Sequence, residues 1–208
     1  MAKFYLIILY LNYALLLTTV LLGVWRYTIF AKKERQYTVY IVFLFLIELL
    51  NLSLPYVFDL QDTSFLYPIY IAGEFFLLTT LFIQKLDLSK IWLFLVSLLS
   101  LSFLIGKYAF DFPSNPDIAK VVSNIVIICL SGFILIREIR RSQKTENRFL
   151  LADSSVFFYY SVSVFIFIIQ HQIANLSENS YYILLSANNI LSSILYGTFL
   201  YTFIKLKK

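Results

Sequence analysis

The sequence predicts an all-helical membrane protein, a seven-helix bundle with its N-terminus outside and its C-terminus in the cytoplasm. Three observations predict it. Sixty per cent of the 208 residues are hydrophobic and 14% are charged, against about 45–50% and about 25% in soluble domains. The apolar residues fall in seven runs of 17 to 24 residues. A helix needs roughly 20 to cross a hydrocarbon core of about 30 Å, whereas strands of a membrane barrel read as segments of about 10 residues alternating in polarity. Lys and Arg gather on alternate connections between the runs.

The first run, 4–25, is too long for a cleaved signal peptide, and its basic cluster follows it instead of preceding it. The second, 38–58, carries Glu48 and Asn51. The third, 65–84, holds Pro68 in its first turn, where proline is tolerated, followed by Gly73 and Glu74. The fourth, 91–107, has only scattered serines and should face lipid. The fifth, 120–137, contains Cys129, the only cysteine, so neither an intrachain disulfide nor a thiolate metal site can form. The sixth, 154–173, ends in Gln170-His171-Gln172, and the seventh is 181–204. The connections are short and leave no room for a soluble domain, so residues 1–208 read as one transmembrane domain. The stretch 110–117, with Pro113 and Pro116, predicts a rigid turn and not a helix extension. No internal repeat stands out.

Orientation follows from the basic residues. One side collects Arg26, Lys32, Lys33, Arg35, Lys85, Lys90, Arg137, Arg140, Arg141, Lys144, Arg148, Lys205, Lys207 and Lys208; the other has Lys3, Lys107 and Lys120. The richer side is cytoplasmic by the positive-inside rule, and the implied location is the bacterial inner membrane. The net charge of +5 is thereby explained by topology, with no nucleic-acid partner. The 137–148 loop suits anionic lipid or a cytoplasmic protein partner.

Glu48 and Glu74 each lie about ten residues, hence about 15 Å, from a helix end. Ionisable groups at that depth are rare and are functional candidates by default. Asn51 is one turn from Glu48, and Tyr70 and Tyr67 are one and two turns from Glu74. Helix seven carries a stripe of Ser186, Asn189, Ser193 and Tyr196, flanked by Asn188 and Ser192; helix six offers Tyr159, Tyr160, Ser161 and Ser163. Such a stripe faces the bundle interior or water. It serves either as a pocket wall or as interhelical hydrogen-bonding glue. Gly73 beside Glu74 marks close packing or room for a ligand. His171, the only histidine, reads as an interfacial polar cap or a sensor of external pH.

Catalysis is not expected. One His and one Cys make no zinc cluster and no nucleophile–base pair. No Gly-rich phosphate loop occurs. Helix seven has no lysine before Lys205 to carry a retinal Schiff base. No cofactor and no metal are expected.

The order of features resembles an uncharacterised family of small bacterial seven-helix membrane proteins. The residues that carry the resemblance are Glu48; Tyr67 with Glu74 and Phe75; Phe157-Phe158 with Tyr160; and Asn188-Asn189. Members often have Asn-Pro before the helix-six aromatics, where this chain reads Asp153-Ser154-Ser155. Similar helical arrays precede kinase modules in some bacterial sensors, so the resemblance implies sensing.

The expected function is a receptor-like membrane sensor. A polar pocket between helices two, three, six and seven would open outward and bind a small ligand or cation through Glu48, Glu74, Asn51, Tyr70, Asn189 and Ser193. The basic loops would pass a helix shift to a separate cytoplasmic partner. The alternatives are a proton- or cation-coupled transporter or channel that uses Glu48 and Glu74, and a membrane effector or subunit of a larger complex.

Overall fold

The computed structural model describes residues 2–60, 62–109, 116–140, 147–172 and 178–206. The seven apolar runs are seven α-helices: α1 (Ala2–Trp25), α2 (Arg35–Val57), α3 (Leu66–Lys85), α4 (Lys90–Ala109), α5 (Pro116–Arg140), α6 (Leu150–Gln172) and α7 (Glu178–Lys205). Among the described residues there is no strand. Six helices are long and apolar enough to cross a membrane; in α4 the apolar stretch Lys90–Gly106 is shorter. Their outward faces, with Ile7, Leu21, Phe94, Phe133 and Ile139 among the exposed side chains, suit a lipid bilayer and make this a multi-pass membrane protein.

Several helices start earlier than their apolar runs. α2 begins at Arg35, α6 at Leu150 and α5 at Pro116. In α2 the added turn begins with the polar Arg35 and Gln36, which apolarity does not register; α6 starts instead where Asn147 caps it. Pro116 therefore belongs to α5, contrary to the expected turn across 110–117. Its fixed φ and missing N–H suit the first helical position. Residues 110–115 of that stretch, and 141–146 of the basic 137–148 loop, lie outside the described residues.

The chain forms two compact units. One holds α2, α3, α4 and the first part of α5, to Leu130; the other holds α1, the rest of α5, α6 and α7.

In the first unit α2, α3 and α4 run antiparallel in sequence order. α3 is buried on most of its circumference, from Leu66 to Ile83. Phe75 and Ile83 on α3 pack with Val96 on α4, against Leu93, Leu99, Phe103, Val126 and Leu130. The Ser100 hydroxyl donates to the Ala72 carbonyl at 2.9 Å. So α4 has one face against α3 and presents Ile91, Phe94, Leu98, Leu101 and Ile105 outward. The α3 C-terminus closes with the N–H of Leu88 on the Ile83 carbonyl (3.1 Å) and Asp87 at φ 54°, a left-handed cap that aspartate tolerates better than most residues. Lys33 reaches this cap, donating to the Gln84 carbonyl (2.9 Å) and the Asp87 carboxylate (2.8 Å).

In the second unit α7 runs parallel to α1. Tyr5 meets Tyr182, Asn12 meets Ser193, Thr19 meets the Tyr196 carbonyl, and Arg26 meets Phe203. α6 runs antiparallel to α7, with contacts at Ser163–Asn188, Ser155–Thr198 and Phe149–Phe203. The α6 N-terminus is closed by Asn147, whose Oδ1 accepts from the Phe149 N–H at 3.1 Å and whose amide donates to Asp153 at 2.9 Å. Asp153 is fully buried in the first turn, where the helix dipole favours negative charge.

Candidate functional site

Tyr70 and Glu74 stand one helical turn apart on α3 and so share a face. The Tyr70 hydroxyl donates to Glu74 Oε1 at 2.9 Å. Pro68 sets the first turn beneath them, and the Tyr67 ring stacks on Tyr70 with centroids 6.3 Å apart. Lys120 of α5 completes the cluster. Its ammonium pairs with Glu74 Oε2, donates to the Tyr70 hydroxyl at 3.1 Å, and lies 4.3 Å from the Tyr70 ring centroid. The Glu74 and Lys120 side chains are each 1% exposed. The buried charges thus compensate one another, and each is hydrogen-bonded, which is the condition for keeping ions out of water.

A polar face continues along α5 beyond Lys120. Ser123 and Asn124 are fully buried. The Ser123 hydroxyl donates to the Lys120 carbonyl at 2.9 Å and approaches Asn124 Oδ1 at 3.5 Å. The Asn124 amide nitrogen has no hydrogen-bond partner among the described residues.

Lys120 is the member of this buried cluster that sequence reasoning missed. Counting it among the outer-side charges rested on starting helix five at 120. With α5 starting at Pro116, Lys120 lies one turn into the helix. A legible signal existed: Lys120, Ser123 and Asn124 share one face by their i, i+3, i+4 spacing.

Glu48 is half-buried on α2. Among the described residues it has no hydrogen-bond or ion-pair partner. Asn51 is exposed, and its Oδ1 accepts from Thr63 at 2.6 Å. Pro55 has no N–H to offer the Asn51 carbonyl four residues earlier. The buried residues of α2 are confined to its first half, Tyr37 to Leu44. The second half therefore carries Glu48 and Asn51 on a less enclosed stretch. The carboxylate of Glu74 is engaged by Tyr70 and Lys120, and Glu48 is not one of its partners.

Asn189 and Ser193 belong to the other unit. The Ser193 hydroxyl lies within hydrogen-bonding distance of two acceptors, Asn12 Oδ1 of α1 (3.2 Å) and the Asn189 carbonyl (2.8 Å), which share its one proton. The half-buried Asn189 side chain has no partner among the described residues. Ser186 and Ser192 bond to carbonyls of their own helix at 2.7 and 3.0 Å. Asn188 accepts from Ser163 of α6 at 3.4 Å. Ser193 and Asn188 thus tie α7 to α1 and α6, the gluing role expected of such residues between membrane helices, whereas Ser186 and Ser192 bond within α7. Asn12, 6% exposed, is the partner the stripe analysis did not include.

Gly73 faces Phe43 of α2: a Cβ there would lie 2.2 Å from the ring's Cζ. Close packing explains this glycine. The His171 side chain lies outside the described residues. Among the described residues no three His, Cys, Asp or Glu gather where a metal ion would be held. No protein-family model, no curated protein and no solved structure matches this chain.

Proposed function

We propose that this chain is a receptor-like sensor of the bacterial inner membrane. It crosses the bilayer seven times with its N-terminus outside, binds a small ligand from the outer side, and signals to a separate cytoplasmic partner. Glu48 carries the reading. It is a carboxylate within a membrane span, half-buried and with no partner among the described residues. Such a group is costly unless a ligand, an ion or water meets it. Asn51 lies one turn away, with its carbonyl relieved of its helical donor by Pro55.

The seven crossings draw support from the parallel register of α1 and α7. Two spanning helices that run parallel are separated by an odd number of crossings, so α4 counts as one. The resemblance to small seven-helix bacterial membrane proteins points the same way.

The runner-up is a proton- or cation-coupled transporter. The observation that favours it is the buried Glu74–Lys120 pair with Tyr70, since intramembrane acid–base groups also build proton relays.

Cysteine accessibility and flux separate the two. In a Cys129→Ser background, Asn51→Cys should react with a membrane-impermeant maleimide from the outer side only. Proteoliposomes of the wild type should carry no more proton, sodium or potassium flux than empty ones. Labelling from both sides, with flux abolished by Glu48→Gln, would replace the sensor by the transporter.

A further inference from the structure

The Lys120 ammonium is held by three features that recognise a primary amine: a carboxylate, a phenol oxygen at 3.1 Å and an aromatic ring with its centroid at 4.3 Å. Two of these come from one side chain, Tyr70, which also fixes Glu74 through its other oxygen at 2.9 Å. Carboxylate and phenol are one turn apart on the same helix, so one element carries both acceptors.

Lys120 itself is placed for release. It is the fourth residue after Pro116, the first of α5, about 6 Å along the helix from its end. A flexible four-carbon stem carries the charge, and basic side chains near a helix end reach readily to the membrane interface. A sealed ion pair is weak evidence for a stabilising role, because an apolar pair of similar volume often serves as well. Its features match recognition better: the acceptors are oxygens arranged for N–H donors, which a quaternary ammonium lacks.

We propose that Glu74 and Tyr70 form a binding site for a primary ammonium group, with Lys120 as a tethered occupant that an amine-bearing ligand displaces. This rests on the sensor reading for the side of entry, and it names the ligand class.

The test uses the full chain in detergent micelles with n-butylammonium, which copies the lysine stem. In Lys120→Ala, butylammonium should raise Tm saturably. The half-effect concentration should be roughly tenfold or more below that of the wild type, because the tethered competitor is gone. Neither n-butanol nor tetramethylammonium should reproduce the shift, and Lys120→Ala/Glu74→Gln should not show it. A shift no larger than that with n-butanol, or an equal shift in the double variant, overturns the proposal. If Lys120→Ala is recovered folded only when extracted with butylammonium present, and not with n-butanol, the proposal stands; recovery with neither overturns it. One-sided labelling at position 51 without an amine shift would keep the sensor and discard the ligand class. Flux with an intact amine shift would do the reverse.

Discussion

Arg26 is the residue that closes α7. One guanidinium nitrogen lies among the carbonyl oxygens of Phe203 (2.8 Å), Ile204 (2.9 Å) and Leu206 (2.8 Å), which share its two protons. The last carbonyls of a helix have no intrahelical donors, and the negative end of the helix dipole favours a cation there. The same contact ties the end of α1 to the end of α7. Arg26→Ala should lower stability by about 2 kcal/mol, since net hydrogen bonds to charged groups are worth about 1.5–3. Ser193→Ala, which removes one neutral bond to Asn12, should cost about 0.6 kcal/mol. Unfolding midpoints in bicelles would rank the two; equal effects would refute the capping account. The sequence offered Arg26 only as a topology charge. Its partner carbonyls lie some 177 positions away, and no local pattern announces a cap supplied from another helix.

The buried pair belongs to the same scale. Glu74→Gln or Lys120→Met alone leaves one charge out of water without its counter-ion, a change that typically costs 3–5 kcal/mol. Glu74→Gln/Lys120→Met removes both charges and should recover all but about 1 kcal/mol. A double variant no better than the worse single one would show that the pair is not acting as a pair. Glu74 and Tyr70 were legible as a unit from their four-residue spacing. Lys120 was not, because apolarity places the start of α5 too late and the charge then reads as a loop residue.

At the scale of elements, the approach of α2 to α3 is set by a glycine under an aromatic ring. A Cβ on Gly73 would come within 2.2, 2.6 and 2.9 Å of three Phe43 ring atoms, closer than real carbon contacts allow. The obstacle is a side chain and not backbone, so the ring can shift, at the cost of disturbing its own packing. Gly73→Ala should therefore lose about 1–3 kcal/mol, the usual range for overpacking. Gly73→Ala/Phe43→Leu should lose less than the sum of the two single changes; strict additivity would place the constraint elsewhere. The helices themselves were legible because seven apolar runs with charged connections fix their number and rough position. Their ends were not. α2 and α6 each extend several residues upstream of the apolar run, where Arg35 and Leu150 begin them. The termini depend on capping and on contacts with other segments, as at Asn147 and Asp153.

For the whole molecule, the parallel run of α1 with α7 bears on where the chain ends lie under the proposed seven crossings. Tyr5 opposite Tyr182, Thr19 opposite Tyr196 and Arg26 opposite Phe203 hold one offset along the helix, and Asn12 meets Ser193 one turn further on. Both helices are long and apolar enough to span; on the seven-crossing reading proposed above, their starts share one face of the membrane and their ends the other. The positive-inside rule then chooses the face. Arg26 directly follows the end of α1 and Lys205 ends α7, whereas Lys3 is the one basic residue near the start of α1. In a Cys129→Ser background, Lys3→Cys should label with an impermeant maleimide in intact cells or right-side-out vesicles. Lys205→Cys should label only after the membrane is opened. Labelling of both from one side would mean an even number of crossings. That would remove α4 as a span and contradict the parallel pairing of α1 with α7. Labelling of Lys205→Cys alone in intact cells would keep seven crossings and invert the chain. The lysines and arginines would then stand outside, against the bias that sets the orientation of most multi-pass proteins.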